Sequence, residues 1–262
     1  MQSSEVREQS LGTLGRRVLS RQPVDEVYSI RLANGEADVR AAQTLRFFVF
    51  NLELNEGLER SYATFRDEDR YDEYCDHLVV EDVRSKEIVG TYRLQTGRNA
   101  AQNRGYYSAQ EFDLRTFEPF REEIIELGRA CVHSEHRNLS VLSLLWKGIA
   151  SYAATHEARY LIGCSSVTSQ DPAEGAVIYE KLRTKHLAPP AWQTAPLPAF
   201  ACPLDRQLPV CPKIPKLLTA YLSLGARICG APALDQEFKT IDFLTFLDLE
   251  DLKKSPFRSL FH

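Results

Sequence analysis

IIELGRACV, residues 124–132, reads as a β-strand with a flaw in its middle. Apolar residues run along most of it, but Gly128 interrupts the pleat. Glu126 and Arg129 are three apart, which in a regular strand places them on opposite faces. A bulge permitted by Gly128 re-aims Arg129. It also splays the strand from its neighbour and leaves backbone groups unpaired, and such groups can bind an extended ligand.

On the N-terminal side, Asp76 to Val83 and Glu87 to Gln95 read as a hairpin across the polar link Arg84–Lys86. Val27 to Leu32 alternates as a first strand. Asp38 then opens a helix on which Val39, Ala42, Leu45, Val49 and Leu52 recur at helical spacing. On the C-terminal side, Val141 to Ala154 is helical and Tyr160 to Cys164 is a short buried strand. Pro172 fits the first helical position after Asp171, for a helix reaching about Leu187. Residues 189–215 hold eight of the 13 prolines and read as a lid or wrapping loop. Ile214 to Leu224 is helical with Gly225 as its stop, and Thr240 to Leu249 is a closing strand. The order describes one α+β domain over 24–262, preceded by a polar arm at 1–23. In that arm Arg16, Arg17 and Arg21 lie among apolar residues, as a solvated arm or a short amphipathic helix.

Charged residues gather around this frame. Arg46 lies on a helix with Phe47, Phe48 and Val49, so little of its surroundings is wet, and a poorly solvated guanidinium needs carboxylate partners. Asp67, Asp69 and Asp72 form D-x-D-x-x-D just downstream, as partners or as a solvated acidic loop. Arg93 shares a strand face with Val89 and Thr91. Composition excludes other classes. The 32 basic and 36 acidic residues leave a net charge of −4, with no basic field for nucleic acid. The six cysteines include no C-x-x-C pair, so neither a zinc site nor a disulfide framework is expected, and no metal is assigned. No apolar stretch approaches the roughly 20 residues of a spanning helix, and the polar start resembles no secretory signal, which points to the cytoplasm.

Taken in order, L-R-x-x-V-F (Leu45 to Phe50), D-x-D-x-x-D, V-G-T-Y-R-L (Val89 to Leu94) and E-L-G-R (Glu126 to Arg129) resemble the acyl-homoserine-lactone synthase branch of the GNAT acyltransferases. D-H-L-V-V (Asp76 to Val80), Y-Y-S-A-Q-E-F-D-L (Tyr106 to Leu114), G-R-A-C-V-H (Gly128 to His133), G-C-S-S (Gly163 to Ser166) and L-G-A-R-I-C-G-A-P-A-L-D (Leu224 to Asp235) are closer to the ornithine N-acyltransferases. The likeness spans about residues 27–249. It implies a GNAT fold, with a mixed, mostly antiparallel sheet flanked by helices and splayed at the donor site.

The resemblance further implies transfer of a 3-hydroxylated acyl chain from acyl-carrier protein to the α-amine of ornithine, giving a lyso-ornithine lipid. Alternatives are a glycine-type or homoserine-lactone-type product, or a non-catalytic module that binds acyl-carrier protein. Coenzyme-A-dependent relatives carry R/Q-x-x-G-x-G/A, where this chain has Arg137-Asn-Leu-Ser-Val-Leu142. Ser140 and Leu142 replace the glycines that let backbone amides approach a pyrophosphate. That fits the acyl-phosphopantetheine of acyl-carrier protein, with no permanently bound cofactor, and Arg137 is a candidate contact for its phosphate. Gly128 and Ala130 would present backbone N–H groups to the thioester oxyanion. Arg46, Asp69, Asp72, Arg93 and Arg129 would hold a zwitterionic amino acid. Glu126 is a base or an orienter, and pairing with Arg129 would hold its pKa low. Ser165 or Ser166 would return a proton to the leaving thiol. Tyr106, Tyr107, Phe112 and Trp192 would line an acyl tunnel or belong to the core. The amphiphilic product suggests peripheral contact with the inner membrane face. Reversing the charge of Arg93 or Arg129 is expected to abolish transfer with the fold intact.

Overall fold

The computed structural model describes residues 27–206, 208–209 and 212–253; the polar arm expected at 1–23 lies outside them. Strand β1 (Tyr28–Leu32) leads into helix α1 (Glu36–Phe47), which continues as a single π-helical stretch, Phe48–Glu53. Strands β2 (Asp76–Asp82) and β3 (Ile88–Thr96) form the expected hairpin, followed by the short helix α2 (Gly97–Gln102) and β4 (Ile124–Val132). Then come α3 (Leu139–Thr155), β5 (Tyr160–Val167), α4 (Pro172–His186) and α5 (Lys216–Ser223). The chain ends in two short strands, β6 (Arg227–Ile228) and β7 (Ala233–Asp235), then β8 (Thr240–Asp248) and α6 (Leu249–Lys253).

The strands form one sheet in the order β1-β2-β3-β4-β5-β8-β6, with β7 also paired to β8. The β4–β5 pair is parallel, and the other pairs are antiparallel. Helix α3 covers the first half, with Leu144, Leu145 and Ile149 buried against Leu78, Leu94 and Ile125. Helices α4 and α5 cover the second half through Ile178, Leu182 and Leu218, which pack with Phe243 and Ile241.

Several boundaries follow local chemistry. Asp171 caps α4 by accepting from the Ala173 N–H, with Pro172 at the first helical position as expected. Gly225, at φ +101°, follows the Leu224 cap and stops α5. Helix α1 starts at Glu36, two residues before Asp38. The Asp38 carboxylate is held instead by Arg31 and the Asn34 N–H, so it braces the turn. Strand β5 runs to Val167, three residues beyond the expected end, because β8 pairs along its whole length. Strand β8 therefore lies inside the sheet, with the unforeseen β6 and β7 on its outer side.

Among its described residues, the proline-rich segment forms two short helical turns, Pro190–Trp192 and Pro198–Phe200, and is otherwise irregular. Trp192 stacks on Phe246 at 4.2 Å and packs on Tyr160 and Phe120. Tyr106 and Phe112 join the same buried cluster, so these aromatics fill the core. Among the described residues, no helix is long and apolar enough to cross a membrane.

Candidate active site

The flaw in β4 is real and begins at Gly128, as expected. Thr91 faces Cys131 and Arg93 faces Gly128, so two steps along β3 answer three along β4. The residue with positive φ is Arg129, at +50°, not Gly128. A non-glycine residue held there costs on the order of 1–2 kcal/mol, which the contacts of its guanidinium must offset.

The ladder between β4 and β5 has three pairs and ends at Glu126↔Ile162. Beyond that point β5 stays on β8, while Leu127 to Ala130 become half-exposed. A gap thus opens between two strands in the middle of the sheet. At its apex, a Cβ on Gly163 would lie 2.2 Å from the Leu127 carbonyl oxygen, whereas a Cβ on Gly128 would meet nothing within 4 Å. Gly163→Ala is therefore expected to force the strands apart and cost about 1–3 kcal/mol. Gly128→Ala should leave the thermal midpoint nearly unchanged, and parallel melting curves of the two variants check the contrast.

Beside the bulge, three arginines and three aspartates neutralise one another. Arg46 pairs with Asp67 at 3.0 Å and Asp72 at 2.6 Å. Arg93 pairs with Asp69 at 2.7 Å and Asp72 at 2.9 Å. Arg129 pairs with Asp67 at 3.0 Å and Asp69 at 3.1 Å. Burial opposes ionisation of Asp69 and Asp72, yet the facing guanidinium groups outweigh it and hold both carboxyls below the usual range. The D-x-D-x-x-D loop is thus an internal counter-charge rather than a solvated one. Arg46 is 0% exposed. Of these six side chains, Asp69 and Arg129 reach a neighbouring cavity of about 770 Å³, which Arg70, Tyr107, Glu111 and Asp235 also line. Tyr107 lies under both Arg93 and Arg129, with centroid distances of 5.1 and 4.7 Å.

Glu126 is not paired with Arg129. It accepts hydrogen bonds from the Tyr107 N–H at 2.6 Å, the Ser108 N–H at 2.7 Å and the Ser108 hydroxyl at 2.6 Å. Its pKa is raised, not lowered: burial dominates, and these donors only partly oppose it. The carboxylate anchors the turn Tyr107–Gln110, whose next residue is Glu111. Glu111 reaches Asp242 on β8 and Cys164 on β5, with one oxygen of each carboxyl and the Cys164 sulfur all within 4.8 Å of one another.

A family model described as an acetyltransferase (GNAT) domain matches residues 45–147. The L-ornithine N(alpha)-acyltransferase of Brucella abortus is 35% identical over 240 residues, covering 84% of each chain. That of Agrobacterium fabrum is 34% identical over 238 residues, covering 85% of this chain and 81% of its own. The chain belongs to the L-ornithine N(alpha)-acyltransferase family. Its GNAT fold is shared with two solved structures, each at 12% identity. The acyl-homoserine-lactone synthase LasI superposes with TM-score 0.50 over 85% of this chain and 90% of its own. FeeM, an N-acyl amino acid synthase from uncultured soil microbes, gives 0.52 over 90% and 97%.

Two other expected site residues of this acyltransferase, Ser165 and Arg137, do not line the cavity. Ser165 is buried on the opposite strand face from Cys164, with its hydroxyl 3.2 Å from that of Thr245. That bond and facing remove it from the group around Glu111. Arg137 grips Glu53 at 2.7 Å and donates to the Val132 carbonyl, beside Asn138, which caps α3. His77 is buried beside Asp72; burial and then Arg46 lower its pKa, so it is neutral. Burial pushes the Cys131 thiol up to about 12 and that of Cys164 well above its usual value, so neither is a ready nucleophile.

Sequence reasoning passed over Glu111 and Asp242. Glu111 stood inside a recognised motif, and a lone glutamate near a turn carries no periodic signal. Asp242, in the buried run of β8, was the legible clue, because a carboxylate facing a core needs a reason.

Proposed function

We propose that this protein transfers a long, 3-hydroxylated fatty acyl chain from acyl-carrier protein to the α-amine of ornithine, releasing a lyso-ornithine lipid. The observation that carries this reading is kinship with L-ornithine N(alpha)-acyltransferases over more than four-fifths of the chain. A gap between β4 and β5 beside a cavity of mixed charge supports it.

The phosphopantetheine arm enters the gap as an extended strand-like segment, hydrogen-bonded to the free edge of β4. Backbone N–H groups around Gly128 and Ala130 polarise the thioester carbonyl and stabilise its oxyanion. Arg129 takes the acceptor's carboxylate, while Asp69 and the acidic wall face its cationic groups. Arg46, Asp72 and Arg93 hold Arg129 and Asp69 in place. The amine attacks directly and the thiol leaves, so no protein nucleophile is needed. Arg137, already paired with Glu53, meets the carrier at the surface and not inside the cavity. The amphiphilic product leaves toward the inner membrane face, which the protein touches without spanning it.

The test is incubation of purified protein with 3-hydroxyacyl-carrier protein and a panel of amino acids, reading released thiol and product mass. Ornithine-dependent thiol release is expected. Release with glycine or homoserine derivatives but not with ornithine would transfer the reading to another acceptor. Carrier binding without turnover on any amine would make this a non-catalytic module.

A further inference from the structure

Resting on that reading of the site, we propose that Glu111, backed by Asp242, is the base that takes the proton from the acceptor's α-ammonium. Four observations place it there. Glu111 is 2% exposed and lines the cavity, and Asp242 is 4% exposed directly behind it. Among the described residues, Glu111 Oε2 and Asp242 Oδ1 are both buried and find no hydrogen-bond donor. Cys164, within 4.8 Å of both carboxyls, lies two residues beyond Ile162, the last residue of β5 paired to β4. The carboxyls therefore stand at the mouth of the gap where the thioester must lie. Glu126, a further buried carboxylate close to the gap, has its oxygens occupied by Tyr107 and Ser108 and serves to hold the turn that presents Glu111.

The surroundings suit a proton acceptor. Burial and then the facing charges of Asp242 and Asp235 hold the Glu111 carboxyl well above its ordinary range. Burial pushes Asp242 up to about 6 against the opposing hydrogen bonds from Ser166 and Thr240, and Glu56, raised by its own burial to about 7, stands nearby. Arg129 is the facing cation and Tyr107 a neutral neighbour. Buried carboxyls so close titrate as a coupled pair above the range of an isolated glutamate, which brings a carboxylate base closer to the basicity of an amine.

The step balances. The ammonium gives one proton to the Glu111 carboxylate, and the neutral nitrogen forms the C–N bond. Collapse of the adduct breaks the C–S bond, and the departing thiolate takes the second proton from nitrogen. The proton on Glu111 passes to solvent through the cavity.

The test is the pH profile of kcat for Glu111→Gln at saturating acyl-carrier protein thioester, on whichever amine the wild-type protein acylates. At pH 7 a loss of about 10²–10⁴-fold is expected. The variant's rate should then climb tenfold per pH unit toward wild type as the free amine fraction grows, with no carboxyl limb. A loss equal at every pH, or an unchanged profile, would overturn the proposal. Asp242→Asn provides the second variant. Removing a like charge should lower the Glu111 pKa, so the acid limb moves to lower pH while turnover persists. An unmoved limb would refute the coupling. Activity abolished by a chelator and restored by a metal would also overturn the assignment, since the same three side chains would then be ligands. Failure of ornithine as acceptor with another amine accepted defeats only the reading of substrate, and the pH profiles still decide the base.

Discussion

Arg46→Met is expected to destabilise the fold by about 3–5 kcal/mol, the cost of leaving buried carboxylates without their cation. At roughly 2–4 °C per kcal/mol for a chain of this size, the thermal midpoint falls by about 10 °C. The reason is geometric. Arg46 is fully buried, and it ties the Asp67 and Asp72 ends of the acidic loop to α1. Its Nε also donates to the Asp67 carbonyl at 3.1 Å, so the variant loses a backbone anchor as well. Combining Arg46→Met with Asp72→Asn should recover part of the loss, because the pair again carries no net charge. A midpoint within 2–3 °C of wild type for the single variant would show that the network is not a structural keystone.

Arg129→Gly should show the opposite balance, a modest loss of stability and a large loss of activity. Glycine relieves the positive φ of the bulge, and Asp67 and Asp69 each keep another arginine, Arg46 and Arg93. The cavity, however, loses the guanidinium assigned to the acceptor's carboxylate. A fall of at least about 100-fold in kcat/KM for the amino acid follows from losing that orientation. Activity within a few-fold of wild type would take Arg129 out of the binding site. Charge reversal is the wrong probe. The expectation that the fold survives it fails on burial, since a glutamate at position 129 or 93 would join Asp67, Asp69 or Asp72 out of water.

The legible parts of the molecule are those where neighbouring residues decide the outcome. Alternation and turn chemistry marked β2, β3 and β4, and Asp171 with Pro172 marked the start of α4. A need for counter-charge at Arg46 was visible from its apolar neighbours, and the acidic loop that meets it was in view. Less was legible where the answer depends on a partner strand. Gly128 signalled a bulge, but pairing with β3 put the positive φ on the next residue, where ion pairs offset its strain. Spacing suggested Arg129 as the partner of Glu126, whereas the fold gave Glu126 to the backbone of Tyr107 and Ser108.

From its linear order the chain determined the hairpin, the flawed strand, the helix starts and the presence of balanced buried charge, because these depend on side-chain periodicity and capping within a few residues. Only the tertiary structure decided that β8 inserts beside β5, that β4 and β5 part after Glu126 and Ile162, and that Glu111 meets Asp242. Those are contacts between segments tens to more than a hundred residues apart. Their geometry is set by how whole strands align and pack, which no local pattern encodes.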